Sequence, residues 1–121
     1  MPRQILANKN IHPAIQKTVI NNHADIITEV QEAISQHQVV VVGMAQNPAP
    51  KKARKKLDEL GIEHTYLEYG NYFNKWYRRN ALKMWTGWPS FPMIFINGIL
   101  IGGSSDLTAL IEADKLTGLL R

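Results

Sequence analysis

Three short stretches of this chain hold residues whose types and spacing bear on chemistry. Gly102-Gly103-Ser104-Ser105-Asp106 stands directly ahead of an apolar helical pattern. At a helix start the unpaired backbone N–H groups and the positive end of the dipole converge, which favours a bound carboxylate or phosphate. The plain alternative is a turn between a hairpin and a helix, with Ser104 as its cap. Trp88-Pro89-Ser90-Phe91-Pro92 is a second stretch, whose tryptophan and prolines either pack or shape a binding edge. Asn47-Pro48-Ala49-Pro50 is the third, where an apolar run gives way to a helix. It offers an amide and two prolines but no nucleophile. The chain contains no cysteine at all, which removes disulfides, thiolate nucleophiles and cysteine-ligated metals together. The histidines His12, His23, His37 and His64 never stand at helical i, i+4 spacing, so no metal site is expected.

These groups must be positioned by a single domain, the size that 121 residues supports. No apolar run approaches the ~20 residues needed to span a bilayer, so no membrane partner is expected. The amino terminus has Arg3 but no apolar core of a secretory signal, and the expected location is the cytoplasm. The net charge is +4, and five of the six residues 51–56 are basic. That run lacks interleaved aromatics and a nucleic-acid motif. It reads as the solvated face of an amphipathic helix with Ala49, Ala53, Leu57 and Leu60 on its apolar side. A nucleic-acid partner is not expected.

Residues 1–22 have weak periodicity around the turn-prone His12-Pro13 and read as a helical extension; residues 23–121 form the domain proper. Residues 25–37 place Ile26, Ile27, Val30, Ala33 and Ile34 at helical spacing, with Asn21 or Asn22 as cap. The β-branched run 39–42 is a strand buried on both faces. A helix follows from the proline pair to Leu60, closed by Gly61. Residues 64–68 form a second strand, and residues 72–85 a helix burying Phe73, Trp76, Tyr77, Ala81, Met84 and Trp85. Asn97-Gly98 between two apolar runs is a hairpin signal. A helix with Leu107, Leu110 and Ile111 inward comes next, then a short helical tail from Asp114. A βαβ unit followed by a hairpin gives an α/β, thioredoxin-like fold, with a mixed four-stranded sheet flanked by helices.

Over residues 37–120 the chain resembles the glutaredoxin family. Asn47-Pro48-Ala49-Pro50-Lys51-Lys52-Ala53 stands where that family has Cys-Pro-Tyr-Cys-Lys-Lys-Ala, or Cys-Gly-Phe-Ser in the monothiol branch. Trp88-Pro89-Ser90-Phe91-Pro92 is similar to the monothiol Trp-Pro-Thr-Phe-Pro. Ile96-Asn97-Gly98 and Ile101-Gly102-Gly103-Ser104-Ser105-Asp106-Leu107 complete the order. The resemblance implies a cis bond at Phe91-Pro92, with the Phe91 backbone pairing with glutathione like an added strand. It also implies a γ-glutamyl carboxylate at Gly103, Ser104, Ser105 and Asp106, and Arg79 gripping the glycine carboxylate through its planar fork.

The departures fall on the chemical half. Asn47 replaces the attacking cysteine and Pro50 the second one, and exchange requires a thiolate. Asn47 is also a poor iron–sulfur ligand, so no cluster is expected. Met44 stands where many members carry a lysine, and Ala49 replaces an aromatic. The expectation is a module that binds glutathione or a glutathionylated peptide without thiol–disulfide activity. Two alternatives are an enzyme using the bound glutathione's own sulfur, and an interaction protein presenting the aromatic helix 72–85 to a protein partner.

Overall fold

The computed structural model describes residues 3–21, 23–45, 47–70 and 76–120. Four strands, β1 (Val39–Gly43), β2 (Thr65–Glu68), β3 (Met93–Ile96) and β4 (Ile99–Gly102), form one sheet in the order β2-β1-β3-β4. β1 and β2 are parallel, while β1–β3 and β3–β4 are antiparallel. The fold is therefore the mixed, thioredoxin-like arrangement expected from the element order. Six α-helices are described: α1 (Pro13–Ile20), α2 (Ala24–Gln36), α3 (Pro48–Glu59), α4 (Trp76–Thr86), α5 (Ser104–Glu112) and α6 (Leu116–Leu119), with a 3₁₀ turn at Asn8–Asn10 ahead of them. None is long and apolar enough to cross a membrane.

Strand alternation divides the core into two layers. Val40, Val42, Met93 and Phe95 face α2 and α4, where Ile26, Val30, Ala81 and Leu82 complete one cluster. Val39, Val41, Ile94 and Ile96 face the other way, onto Ala53 and Leu57 of α3, Leu107 of α5 and Leu116 of α6. Successive residues of a strand point to opposite faces, so a strand covered on both sides must be apolar throughout. That is why β1 and β3 read as unbroken apolar runs.

The turns follow from local chemistry. Asn97 and Gly98 both have positive φ, 50° and 79°, the conformation a two-residue hairpin needs and that Asn-Gly adopts readily. Gly61, at φ 69°, ends α3. The start of α2 differs from expectation: its cap is His23 in the left-handed region, without a side-chain bond, and the Ala24 N–H donates to the Asn21 C=O instead. The apolar side of α3 also shifts, with Pro50 buried beside Ala53 and Leu57 while Leu60 is 48% exposed at the helix end.

α4 corrects the expected inward set. Tyr77 and Met84 are 68% and 62% exposed, and Arg79, Ala81 and Leu82 face in. Ala81 and Leu82 are buried in the core, which turns this face toward the sheet, and on the surface Arg78 reaches Asp25 of α2 at 3.0 Å. Phe73 and the Trp76 side chain lie outside the described residues. The amino-terminal segment docks by Arg3, whose guanidinium donates to the Trp85 C=O at 2.9 Å near the end of α4, where a cation is favoured.

Candidate functional site

One end of the sheet gathers most of the candidate residues. β1 finishes at Gly43, β2 at Glu68 and β4 at Gly102, while β3 begins there, with Val42 opposite Met93 and Gly43 opposite Glu68. The starts of α3 and α5 therefore meet the loop ahead of β3. The Phe91-Pro92 bond in that loop is cis.

Asn47 ties α3 to this loop. It is the cap of α3, in extended conformation, and its Oδ1 accepts from the Ala49 N–H at 3.0 Å. Its Nδ2 donates to the Phe91 C=O at 3.3 Å. Pro48 opens the helix at a position where no N–H is needed. Pro50 is pressed onto the end of β1: a Cβ added to Gly43 would lie 2.7 Å from the Pro50 Cβ. Glycine at 43 is thus what lets the helix start sit on the strand. Met44 is buried in the α2–α4 layer of the core.

α5 begins against the same loop. Its cap is Gly103, not Ser104, and the Gly103 N–H donates to the Asp106 carboxylate at 2.9 Å, the half of a capping box that glycine can make. A Cβ placed on Gly103 would lie 3.4 Å from the Pro92 oxygen and 3.8 Å from the Trp88 Nε1. Phe91, Pro92, Gly103, Asp106 and Trp88 thus form one cluster, with Asn47 bonded to its edge. The Trp88 Nε1–H is buried without a hydrogen-bond partner; such groups are uncommon and call for a polar neighbour. Ser104 is half-buried and Ser105 exposed.

Arg79 sits on the other side of β1. It is 5% exposed, and its Nη1 donates to the Tyr69 C=O at 3.0 Å. Tyr69 in turn donates its N–H to the Gly43 C=O. The guanidinium is held within the chain at the same end of the sheet.

Residues 51–56 take on a second aspect here. Lys51 and Arg54 line a hollow of about 370 Å³ with Met44, Ala45, Asn47, Pro48, Tyr66 and Glu68. The Arg54 guanidinium lies 4.1 Å over the Tyr66 ring, and the Tyr66 hydroxyl donates to Glu68 at 3.1 Å. Burial, then that hydrogen bond, push the Tyr66 phenol up to about 12. Burial likewise raises Tyr69, with Glu29 contributing. Sequence pattern alone assigned residues 51–56 to solvent, because Tyr66 and Glu68 are distant along the chain. The i, i+3 spacing of Lys51 and Arg54 was the available signal. A larger hollow, about 710 Å³, lies at the opposite end of the sheet around His37, Asp58 and His64. Arg54 lines this hollow as well as the smaller one, and no group of three or more metal-ligating residues occurs among the described residues.

The glutaredoxin family profile matches residues 39–101. A glutaredoxin-like protein of Dictyostelium discoideum is 47% identical over 104 residues, covering 86% of this chain and 83% of the relative. A glutaredoxin of Ricinus communis is 32% identical over 94 residues, 78% of this chain and 92% of that one. Among solved structures, oxidized glutaredoxin 2 from Chlamydomonas reinhardtii superposes with a TM-score of 0.69 at 32% identity, covering 80% of this chain and 92% of its own. A buckwheat glutaredoxin–glutathione complex gives 0.70 at 23% identity, over 80% and 88%. The chain belongs to the glutaredoxin family, and it does so without a cysteine.

Proposed function

We propose that this chain is a glutathione-binding module that carries out neither thiol–disulfide exchange nor iron–sulfur cluster chemistry. The observation that carries the reading is the meeting of cis Phe91-Pro92, Gly103 and Asp106 in one cluster, with Asn47 bonded to it where the family has its attacking cysteine. The residues present suit the ligand's amino-acid end. Its carboxylate would face the N–H groups of Ser104 and Ser105 in the first turn of α5, and its ammonium the Asp106 carboxylate. The unpaired Trp88 indole N–H supports a polar occupant beside Gly103. The Phe91 backbone would pair with the peptide's middle. A buckwheat family member has been solved in complex with glutathione, and the proposal extends that ligand, or a glutathionylated peptide, to this chain.

Asn47 sets the limit on chemistry. An amide supplies no thiolate to attack a disulfide and no ligand of the usual kind to a cluster. Its Nδ2 and Oδ1 both serve structural bonds. A second reading, a protein contact through α4, draws on the exposure of Tyr77 and Met84. Thermal denaturation with and without millimolar reduced glutathione separates the two. Glutathione at ten times its dissociation constant should add about 1.4 kcal/mol of stability. No shift at any reachable concentration would leave only the protein contact.

A further inference from the structure

Lys51 and Arg54 have no role in the arrangement above. They lie one turn apart on α3 and line the hollow beside Asn47. Neither pairs with a carboxylate among the described residues, and the Arg54 Nε–H is shielded from solvent without a partner. The Glu68 carboxylate in the same hollow accepts the Tyr66 hydroxyl. The Tyr66 ring under Arg54 holds the guanidinium plane in place, so little freedom is left to lose when its fork meets an anion.

The helix start beside them cannot serve an anion through its backbone. Pro48 and Pro50 have no N–H, and the Ala49 N–H is taken by Asn47. Side chains must supply the donors. Arg79, the other candidate cation, is buried and donates to the Tyr69 C=O. Asn47 belongs both to the hollow and, through Phe91, to the ligand cluster. A tripeptide held at Gly103 and extended along Phe91 spans roughly 10 Å, and passing Asn47 brings its far end to the hollow.

We infer that Lys51 and Arg54 form the subsite for the ligand's glycine carboxylate, in place of Arg79. The inference rests on the glutathione reading. Its test is calorimetric titration of reduced glutathione and of its glycine monoethyl ester, which lacks that charge. The proteins compared are native, Lys51→Ala, Arg54→Gln and Arg79→Gln, each first checked for folding by circular dichroism.

The native protein should bind the free acid about 10-fold or more tightly than the ester, as a charged hydrogen bond implies. Lys51→Ala and Arg54→Gln should weaken acid binding and shrink that ratio toward one, while Arg79→Gln keeps it. Loss of the ratio in Arg79→Gln with its retention in the two α3 variants would overturn the assignment, as would equal binding of acid and ester to the native protein. Because Lys51 is exposed, its variant keeps the test decisive even where Arg79→Gln fails to fold. Absence of binding of either form to the native protein refutes the glutathione reading itself, and the subsite with it.

Discussion

Replacing Asn47 with alanine isolates the bonds that stand where a glutaredoxin keeps its thiol. The change removes the cap on α3, where Oδ1 accepts from Ala49 at 3.0 Å. Loss of such a cap costs about 1 kcal/mol, within a range of about 0.5–2. It also removes the bond from Nδ2 to the Phe91 C=O, which at 3.3 Å is long and contributes about 0.5 kcal/mol. The expected loss is about 1.5 kcal/mol. For a domain of this size that lowers Tm by roughly 5–7 °C. Urea denaturation should show the midpoint falling with the slope unchanged. Asn47→Ser separates the two bonds: it keeps a capping oxygen and loses the donor to Phe91 without setting a second acceptor against that carbonyl. It should sit within about 0.5 kcal/mol of the native protein. An alanine variant as stable as native would refute the capping role. A serine variant as unstable as alanine would make the Phe91 bond the dominant one.

Further predictions address the rest of the site. Gly43→Ala should destabilise by about 1–3 kcal/mol, the usual cost of overpacking, because its Cβ would fall 2.7 Å from Pro50; chemical denaturation within 0.5 kcal/mol of native would contradict the close approach. Tyr66, raised to about 12 against about 10 when unfolded, should stay protonated at pH 11. Its contribution to stability is then whole below pH 10 and lost as pH rises to 12. The 295 nm absorbance difference between native and Tyr66→Phe should appear only near pH 12, and its appearance near pH 10 would contradict the burial. Asn47→Cys places a thiol at a helix start, where thiolates are favoured. It should gain glutathione-dependent reduction of a mixed disulfide, an activity the proposed function denies the native chain; measurable turnover by the native chain would refute the inert reading.

The sheet and its hairpin were legible because their signals are local. A short, all-β-branched run such as residues 39–42 favours a strand covered on both faces, and Asn97-Gly98 specifies its own turn. The cis bond and the Gly103–Asp106 cluster came from family motifs, which fix spacing that local propensity does not. The facing of α4 was not legible. Its aromatics and aliphatics fit more than one helical face, and tertiary burial of Ala81 and Leu82 selects the one that turns Tyr77 and Met84 outward. The resemblance implies Arg79 as the grip on a glycine carboxylate, but its depth was not legible: it is 5% exposed, with Nη1 donating to the Tyr69 C=O. Ser104 looked like the cap of α5, but Asp106 reaches back to the Gly103 N–H and moves the cap one residue earlier. The Lys51–Arg54 hollow depends on Tyr66 and Glu68 arriving across a βαβ crossover, a tertiary placement that the basic run alone does not encode.

The most direct test of the central claim is calorimetric titration of reduced glutathione into native protein and into Asp106→Ala. The account predicts saturable binding to the native chain, weakened in the variant as the ligand's ammonium loses its carboxylate partner. No heat at millimolar glutathione, or binding that Asp106→Ala leaves unchanged, would contradict a ligand site at Gly103 and Asp106.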